Sequence, residues 1–225
     1  MHATMNTLAA IRSVTRRRWE EMQPLTLPPA TPVVLWTEET RTIYVDETLG
    51  PAVPYPPVSR TDSESNYGYV RLKGRIDLIS TIPELIDWPE YRQFVSEINI
   101  AESRIESVGC AIGMFPVNDQ SAITCRVGSY VDLVFSEPVE AEDPIAQLDL
   151  SAQFMVSVSG CERWWSSVEI GLQRLKYFPG TVAPLGLMLR ISAHGRTEAE
   201  ARQCFVATIN NAKSAIPGAS SNTAA

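Results

Sequence analysis

The sequence has few of the residues that enzymes most often use for acid–base and metal chemistry. It contains two histidines, His2 and His194, too few for a histidine-based zinc site or a catalytic triad. Its four cysteines are widely and irregularly spaced, so the sequence has neither a CxxC metal pair nor a dense disulfide framework. We therefore predict free thiols and no metal site.

Motifs for nucleotides and membranes are lacking as well. No GxGxxG or GxxxxGK[ST] run occurs, which predicts that no nucleotide cofactor is bound. No apolar run approaches the roughly 20 residues that a bilayer requires, so we expect no membrane partner. A Cys–His dyad would need Cys204 or Cys110 to meet His194 through tertiary contacts, and no motif indicates that arrangement. We predict that the protein is not an enzyme and has no cofactor.

The charge is acidic overall but uneven along the chain. A net charge of −7 argues against a dedicated nucleic-acid binder, because phosphate contacts require an excess of lysine and arginine. Four arginines nevertheless precede the first acidic residue: Arg12, Arg16, Arg17 and Arg18. This run is typical of a solvated helix face, and the alternative is a contact with nucleic acid or an acidic partner.

Hydrophobic periodicity predicts the elements of the first half of the chain. A helix is expected at 7–22, then a short strand at 33–36 with a hairpin partner at 43–45. The proline-rich segment 50–68 is expected to be an extended loop. A strand at 69–79 and a helix at 83–101, which starts or restarts at Pro89, follow.

The second half is predicted to be richer in strands. Segment 104–117 alternates as a strand, and 123–135 looks like a strand when viewed alone but has apolar residues at helical intervals, so we predict a helix. The acidic run 137–143 is then a loop. Alternation predicts a strand at 148–158, paired as a hairpin with 164–178.

The chain is expected to close with a third strand at 185–193 and a helix that ends at Ile216. The helix opens at Thr197 with a capping box that includes Glu200. Residues 217–225 are expected to form a disordered tail. Together these elements predict one α+β domain over 1–216, in which a mixed or mainly antiparallel sheet packs against helices, with a helix at each end of the chain.

The order of elements resembles that of tail-terminator and head-to-tail completion proteins of long-tailed bacteriophages. Those proteins open with a helix and a proline-bearing link to a strand, here AAIRSVTRRRWEEMQPLTLPPATPVVLW, and continue through an extended polar loop to a strand, here YVRLKGRIDL. A strand with a proline-containing turn into a helix follows, here ESVGCAIGMFPVNDQSAITCRVGSYVDLVF. A tryptophan-bearing strand lies near the end, here RWWSSVEIGLQRL.

The resemblance implies a non-enzymatic structural protein of the virion, assembled in the host cytoplasm. Identical subunits would form a ring, hexameric in that family, that joins tail-tube and connector proteins. An acidic lumen would be compatible with transient DNA passage, because like charge prevents sticking. The resemblance implies that the subunit interfaces include Tyr55 in the proline-rich loop and the start of the tryptophan-bearing strand, with Arg163, Trp164 and Trp165. The arginines of the first helix would face tube, connector or DNA: Arg16, Arg17 and Arg18.

Two alternatives stay open. One tryptophan of the Trp164–Trp165 pair would pack in the core while the other covers a sheet edge, with no partner involved. If 123–135 is a strand, the chain can also be drawn as a helix-grip domain that binds a small ligand. Its apolar cavity would be lined by Phe154, Met155, Val156 and Leu187.

Overall fold

The computed structural model describes residues 2–22, 32–46, 53–54, 68–117, 122–175 and 185–218, with the backbone alone for residues 2–6 and Trp164. Within these residues, six strands form one sheet: β1 (Val33–Glu38), β2 (Arg41–Val45), β3 (Ile105–Pro116), β4 (Cys125–Phe135), β5 (Ser166–Arg174) and β6 (Leu185–Gly195). The same residues contain five α-helices: α1 (His2–Met22), α2 (Pro89–Asn99), α3 (Pro138–Glu142), α4 (Pro144–Ser157) and α5 (Glu198–Ala212).

The sheet is mixed, with the strand order β1–β2–β5–β6–β4–β3. Strands β2 and β5 pair in parallel, and the other neighbours pair antiparallel. With a helix at the start of the chain and α5 near its end, the architecture is α+β, which confirms the predicted fold class.

The helices pack on one face of the sheet and build the main hydrophobic core there. In β6, alternate side chains such as Leu187, Leu189 and Ile191 are buried in this core, together with residues of every α-helix. Helices α4 and α5 lie against β5 and β6, and α1 packs beside α4 and against β1. We call this side the helix-covered face.

The opposite side of the sheet, which we call the open face, has a smaller apolar cluster at one end. Its members are Val53, Val108, Val134 and Leu175 with Tyr69 packed against them, and none of them is helical. The buried carboxylate of Glu106 lies at this end and accepts two 3.0 Å hydrogen bonds from Arg71. The described helices therefore leave most of this face uncovered.

Several local predictions are confirmed. Helix α2 begins with Pro89, and a short 3-10 helix, Pro83–Leu85, precedes it. Thr197 caps α5 by accepting a hydrogen bond from the backbone N–H of Glu200 at 3.2 Å. The Glu200 carboxylate accepts from the N–H of Arg196, one residue before the cap, so the reciprocal half of the capping box is shifted by one position.

The prediction of a strand at 148–158 is wrong, because these residues belong to α4. Asp143 caps this helix by accepting from the N–H of Ile145 at 2.8 Å, and Pro144 occupies its first turn. Helix α4 lies on β5 and β6 with α1 and α5 as neighbours, and none of its residues is exposed. Its apolar residues are therefore not confined to one stripe, and their spacing imitates the alternation of a strand. The predicted hairpin with 164–178 is wrong for the same reason.

The predicted helix at 123–135 is also wrong, because this segment forms β4. The strand lies between β3 and β6, and its last five residues are buried. Leu133 and Phe135 enter the main core, while Val134 joins the small cluster on the open face. A strand that is buried on both faces loses its alternation and reads as a nearly continuous apolar run.

Two further boundaries differ from the prediction. The expected strand at 69–79 is replaced by a turn at Gly74, which has φ of +68°, and by the 3-10 helix Ile76–Thr81. The side chain of Lys73 ties this segment to β3 through the carbonyl of Ile105 at 3.0 Å. The expected loop at 137–143 contains the short helix α3.

The rest of the predicted layout lies partly outside the described residues. Most of the loop 50–68 and residues 219–225 are in this category. Pro217 is described, and its carbonyl accepts a hydrogen bond from the N–H of Arg104 at 3.2 Å. Among the described helices, none combines the length and apolar character needed to cross a membrane.

Candidate interaction site

A cavity of about 370 Å³ lies at one end of the sheet, which we call the tryptophan end. Here a 3-10 turn, Cys161–Trp164, leads into β5, and the end of β6 leads into α5. The cavity is lined by residues of the 3-10 turn, the end of β6, α5 and the links between them: Arg163, Trp165, His194, Arg196, Glu200, Gln203, Cys204 and Ala207.

Trp165 is held in this cavity by an unusual backbone conformation. Its φ of 50° and ψ of 38° are left-handed, a conformation that costs a bulky residue on the order of 1–3 kcal/mol. Backbone hydrogen bonds fix it, because its N–H donates to Glu162 and its carbonyl accepts from the N–H of His194, both at 3.0 Å. The side chain is 44% exposed. The fold therefore displays this indole at the surface.

Positive charge surrounds the indole. The guanidinium of Arg196 lies over the ring, 5.4 Å from its centroid, which is within the range of a cation–π contact. Neither Arg163 nor Arg196 forms an ion pair with any residue that the structure describes. Glu200 also lines the cavity, but its carboxylate accepts from the backbone N–H of Arg196. Both guanidinium groups can therefore bind an acidic partner.

The strand register extends this site across the sheet. Phe115 of β3 lies opposite Arg126 of β4, and Arg126 lies opposite His194 of β6, beside Trp165. The Arg126 guanidinium lies 5.3 Å from the centre of the Phe115 ring, and Phe115 is 44% exposed. The tryptophan end thus carries two exposed aromatic rings, each covered by an arginine.

Cys204 and His194 line the same cavity, but their arrangement does not favour nucleophilic catalysis. Burial raises the pKa of the Cys204 thiol, whereas a catalytic cysteine requires a lowered pKa. The His194 Nδ1 lies 3.3 Å from the carbonyl of Trp165. Within the described part of the chain no hydrogen bond joins the two side chains, and no group of three or more His, Cys, Asp or Glu residues could hold a metal ion.

The structure brings together two of the predicted partner-binding residues, Arg163 and Trp165, in the cavity. The side chain of Trp164 and the whole of Tyr55 lie outside the described residues. The cavity is not lined by the arginines of α1. Arg16 donates to both carboxylate oxygens of Asp149 in α4, at 2.7 and 2.8 Å.

The other two arginines of α1 predicted to bind a partner, Arg17 and Arg18, also have partners within the chain. Arg17 lies 4.0 Å from Glu21 on the surface of the same helix. Arg18 donates to the carbonyl of Val34 in β1 at 2.9 Å. These contacts tie α1 to its neighbours, and a role for the arginines in partner binding remains a prediction.

Sequence reasoning missed four residues of the site: Phe115, Arg126, His194 and Arg196. Phe115 and Arg126 could be placed together only through the pairing of β3 with β4, and β4 was predicted to be a helix. His194 and Arg196 flank Gly195 in a turn, and the sequence of this turn does not indicate that Arg196 stacks on Trp165.

Asp132 is a second residue that the sequence did not single out. It lies on the open face in β4, is 6% exposed, and accepts a hydrogen bond from the side chain of Gln173 at 3.1 Å. Burial raises the pKa of this carboxyl from 3.8 to about 7, although Arg190 and the Gln173 hydrogen bond act in the opposite direction. Asp132 is therefore a group whose charge depends on pH near neutrality.

Comparison with known proteins finds no family model that matches the chain. It also finds no matching curated protein and no matching solved structure. The function must therefore be argued from the geometry of the site.

Proposed function

We propose that this chain is a non-enzymatic assembly protein that works as a homo-oligomer through the tryptophan end of its sheet. The observation that carries the proposal is the exposed Trp165, held in a left-handed backbone conformation under Arg196. Tryptophan and arginine dominate the binding energy of protein interfaces. Backbone strain of this kind clusters where it serves binding or switching.

The cavity around Trp165 supports a protein partner. It combines the indole and the Ala207 methyl with the two guanidinium groups of Arg163 and Arg196. Aromatic anchors beside unpaired arginines are typical of an interface core with a polar rim. The raised pKa of Cys204 is a further reason to favour binding over catalysis.

We propose further that the oligomer is a ring in a phage particle, where it terminates the tail or joins head and tail. This part rests on the resemblance of the segments 9–36 and 163–175 to tail-completion proteins, since the strand at 69–78 and the helix at the end of 106–135 that the resemblance implied are not formed. The α+β architecture is compatible with it. The net charge of −7 would suit a lumen through which DNA passes without sticking.

The alternative of a small-ligand domain has less support. Three of the residues expected to line its cavity, Phe154, Met155 and Leu187, are fully buried in the main core. Val156 is half-buried against the same core. The cavity at Trp165 is elsewhere in the molecule.

The experiment is light scattering on the purified protein across a concentration series, with Trp165→Ala and Tyr130→Ala compared to wild type. Tyr130 is the control, since it is an exposed aromatic residue in the middle of β4 and does not line the cavity. We expect a discrete multimer for wild type and for Tyr130→Ala. Loss of Trp165 should weaken association by at least about 30-fold, the effect of removing a hot-spot residue.

A wild type that stays monomeric at every concentration and does not add to isolated tail tubes would overturn the proposal. Binding to tail tubes tests the location in the particle separately. A stable multimer that ignores tubes and connectors would leave self-assembly in place and remove the phage assignment.

A further inference from the structure

The end of the sheet opposite Trp165 carries a surface of opposite charge. Segment 137–143, which contains α3, follows β4 after a single residue, Ser136. It has four acidic residues and no basic one: Glu137, Glu140, Glu142 and Asp143. We call it the acidic segment.

An apolar side chain projects from the middle of the acidic segment. Val139 is 83% exposed and follows Pro138, which is also exposed. Glu140 is paired with Arg104, and Asp143 caps α4, so these two acids hold the segment in place. Glu137 and Glu142 are exposed on either side of Val139.

The cavity at the tryptophan end has the complementary properties. It offers an apolar wall of Trp165 and Ala207, and the guanidinium groups of Arg163 and Arg196 have no acidic partner among the residues that the structure describes. A short acidic segment with an apolar residue at its centre therefore matches the cavity in both charge and polarity.

The two surfaces are too far apart to meet within one molecule. Strand β4 begins beside the cavity, where Cys125 pairs with Gly195, and ends at Phe135, one residue before the acidic segment. Its 11 residues span on the order of 35 Å at the usual rise of a strand. Because the surfaces are different and lie at opposite ends, a contact between them joins two copies head to tail, and such contacts generate rings or filaments.

We infer that the acidic segment of one copy docks into the Trp165 cavity of the next, so that Val139 meets the indole and Glu137 and Glu142 meet Arg163 and Arg196. The inference rests on the proposed self-association and specifies its geometry. A symmetric, two-fold contact would place identical surfaces against each other, and two positive cavities would repel.

Charge reversal tests this geometry. One variant carries Glu137→Lys and Glu142→Lys and keeps Glu140, which pairs with Arg104, and Asp143, which caps α4. A second variant carries Arg163→Glu and Arg196→Glu, and a third carries all four substitutions. The readout is particle mass by analytical ultracentrifugation, and circular dichroism checks that each variant is folded.

Head-to-tail docking predicts that each two-site variant is monomeric, with association weakened at least about 100-fold. The two variants are then mixed in equal amounts. In the mixture, the unchanged Glu137 and Glu142 of the second variant can meet the unchanged Arg163 and Arg196 of the first variant, as in wild type. The mixture should therefore assemble with the two variants alternating, because the second interface pairs the two reversed sets of charges with each other, whereas each variant alone places like charges together. The chain with all four substitutions should assemble again.

The outcomes separate the two proposals. If wild type is a multimer and the two-site variants are multimers too, or if their mixture does not assemble, the head-to-tail geometry is overturned while self-assembly stands. If wild type is monomeric throughout and does not add to tail tubes, both proposals are overturned.

Discussion

The side chains on the two faces of the sheet are covered to different extents. On the helix-covered face, β6 contributes Leu187, Leu189 and Ile191, which pack against α4 and α5 in one continuous core. On the open face, the same strand contributes Met188 and Arg190, and only one end has an apolar cluster. Most of the folding free energy should therefore come from the first face, which leaves the second free to carry polar and functional groups.

The open face is covered in places by its own aromatic side chains. The ring of Tyr44 lies against Gly171, and the ring of Phe115 lies over Gly113 and Gly128. Glycine has no side chain of its own to protect the strand, so a ring laid across it shields the backbone from water. We call each of these rings an aromatic lid. On the open face the lids cover the strands locally, whereas helices cover the strands on the other face.

The largest difference between the faces should be seen with two neighbouring residues of β6. Leu189→Ala removes a side chain that is 1% exposed from the main core and should cost about 2–5 kcal/mol of the free energy of unfolding. Met188→Ala removes a half-buried side chain from the open face and should cost about 1 kcal/mol. Urea denaturation of both variants measures the difference, and equal losses would show that the open face is buried as deeply as the other.

The same contrast explains which parts of the fold could be predicted from the sequence. Strand β6 is buried mainly on one side and is predicted as a strand, and the hairpin of β1 and β2 is predicted from a short apolar run. Helix α4 and the last five residues of β4 have no exposed residue, and both segments are predicted wrongly. Periodicity fails where an element has no solvent face, because the pattern it relies on is the contrast between water and core.

The candidate site was predictable only in part. Arg163 and Trp165 were selected because tryptophan and arginine are common in interfaces, and both line the cavity. Arg196 lies far along the chain from them and stacks on Trp165 through a turn that the sequence marks only as a helix start. The left-handed backbone of Trp165 depends on hydrogen bonds to Glu162 and His194, and no local sequence signal encodes them.

Asp132 makes the open face sensitive to pH. In the unfolded chain its carboxyl loses its proton near pH 3.8, whereas in the folded protein burial raises the pKa to about 7. Between these values the folded state holds a proton that the unfolded state has released, so stability falls as pH rises from about 4 to about 7. The loss should reach roughly 1–4 kcal/mol above pH 7.

Asp132→Asn should remove this loss, since the amide is neutral and its oxygen can still accept the hydrogen bond from Gln173. Thermal unfolding from pH 4 to pH 8 provides the measurement. Glu169→Gln is the control, because Glu169 is an exposed acid in β5. If Asp132→Asn and wild type lose the same stability over this range, the carboxyl is ionised in the folded protein.

The smallest effect concerns the aromatic lid over Gly171. A methyl group at this position would lie 2.8 Å from the Tyr44 ring, so Gly171→Ala must displace the ring and should cost about 1 kcal/mol. Gly128→Ala, whose methyl would lie 3.3 Å from Phe115, should cost less. In a Tyr44→Ala background the ring is gone, and Gly171→Ala should be neutral or slightly stabilising, because alanine lowers the entropy of the unfolded chain. Urea denaturation of wild type, Gly171→Ala, Tyr44→Ala and the double variant gives the coupling energy between the two positions. A cost for Gly171→Ala that persists without Tyr44 would mean that the glycine is needed by the strand itself and not by its lid.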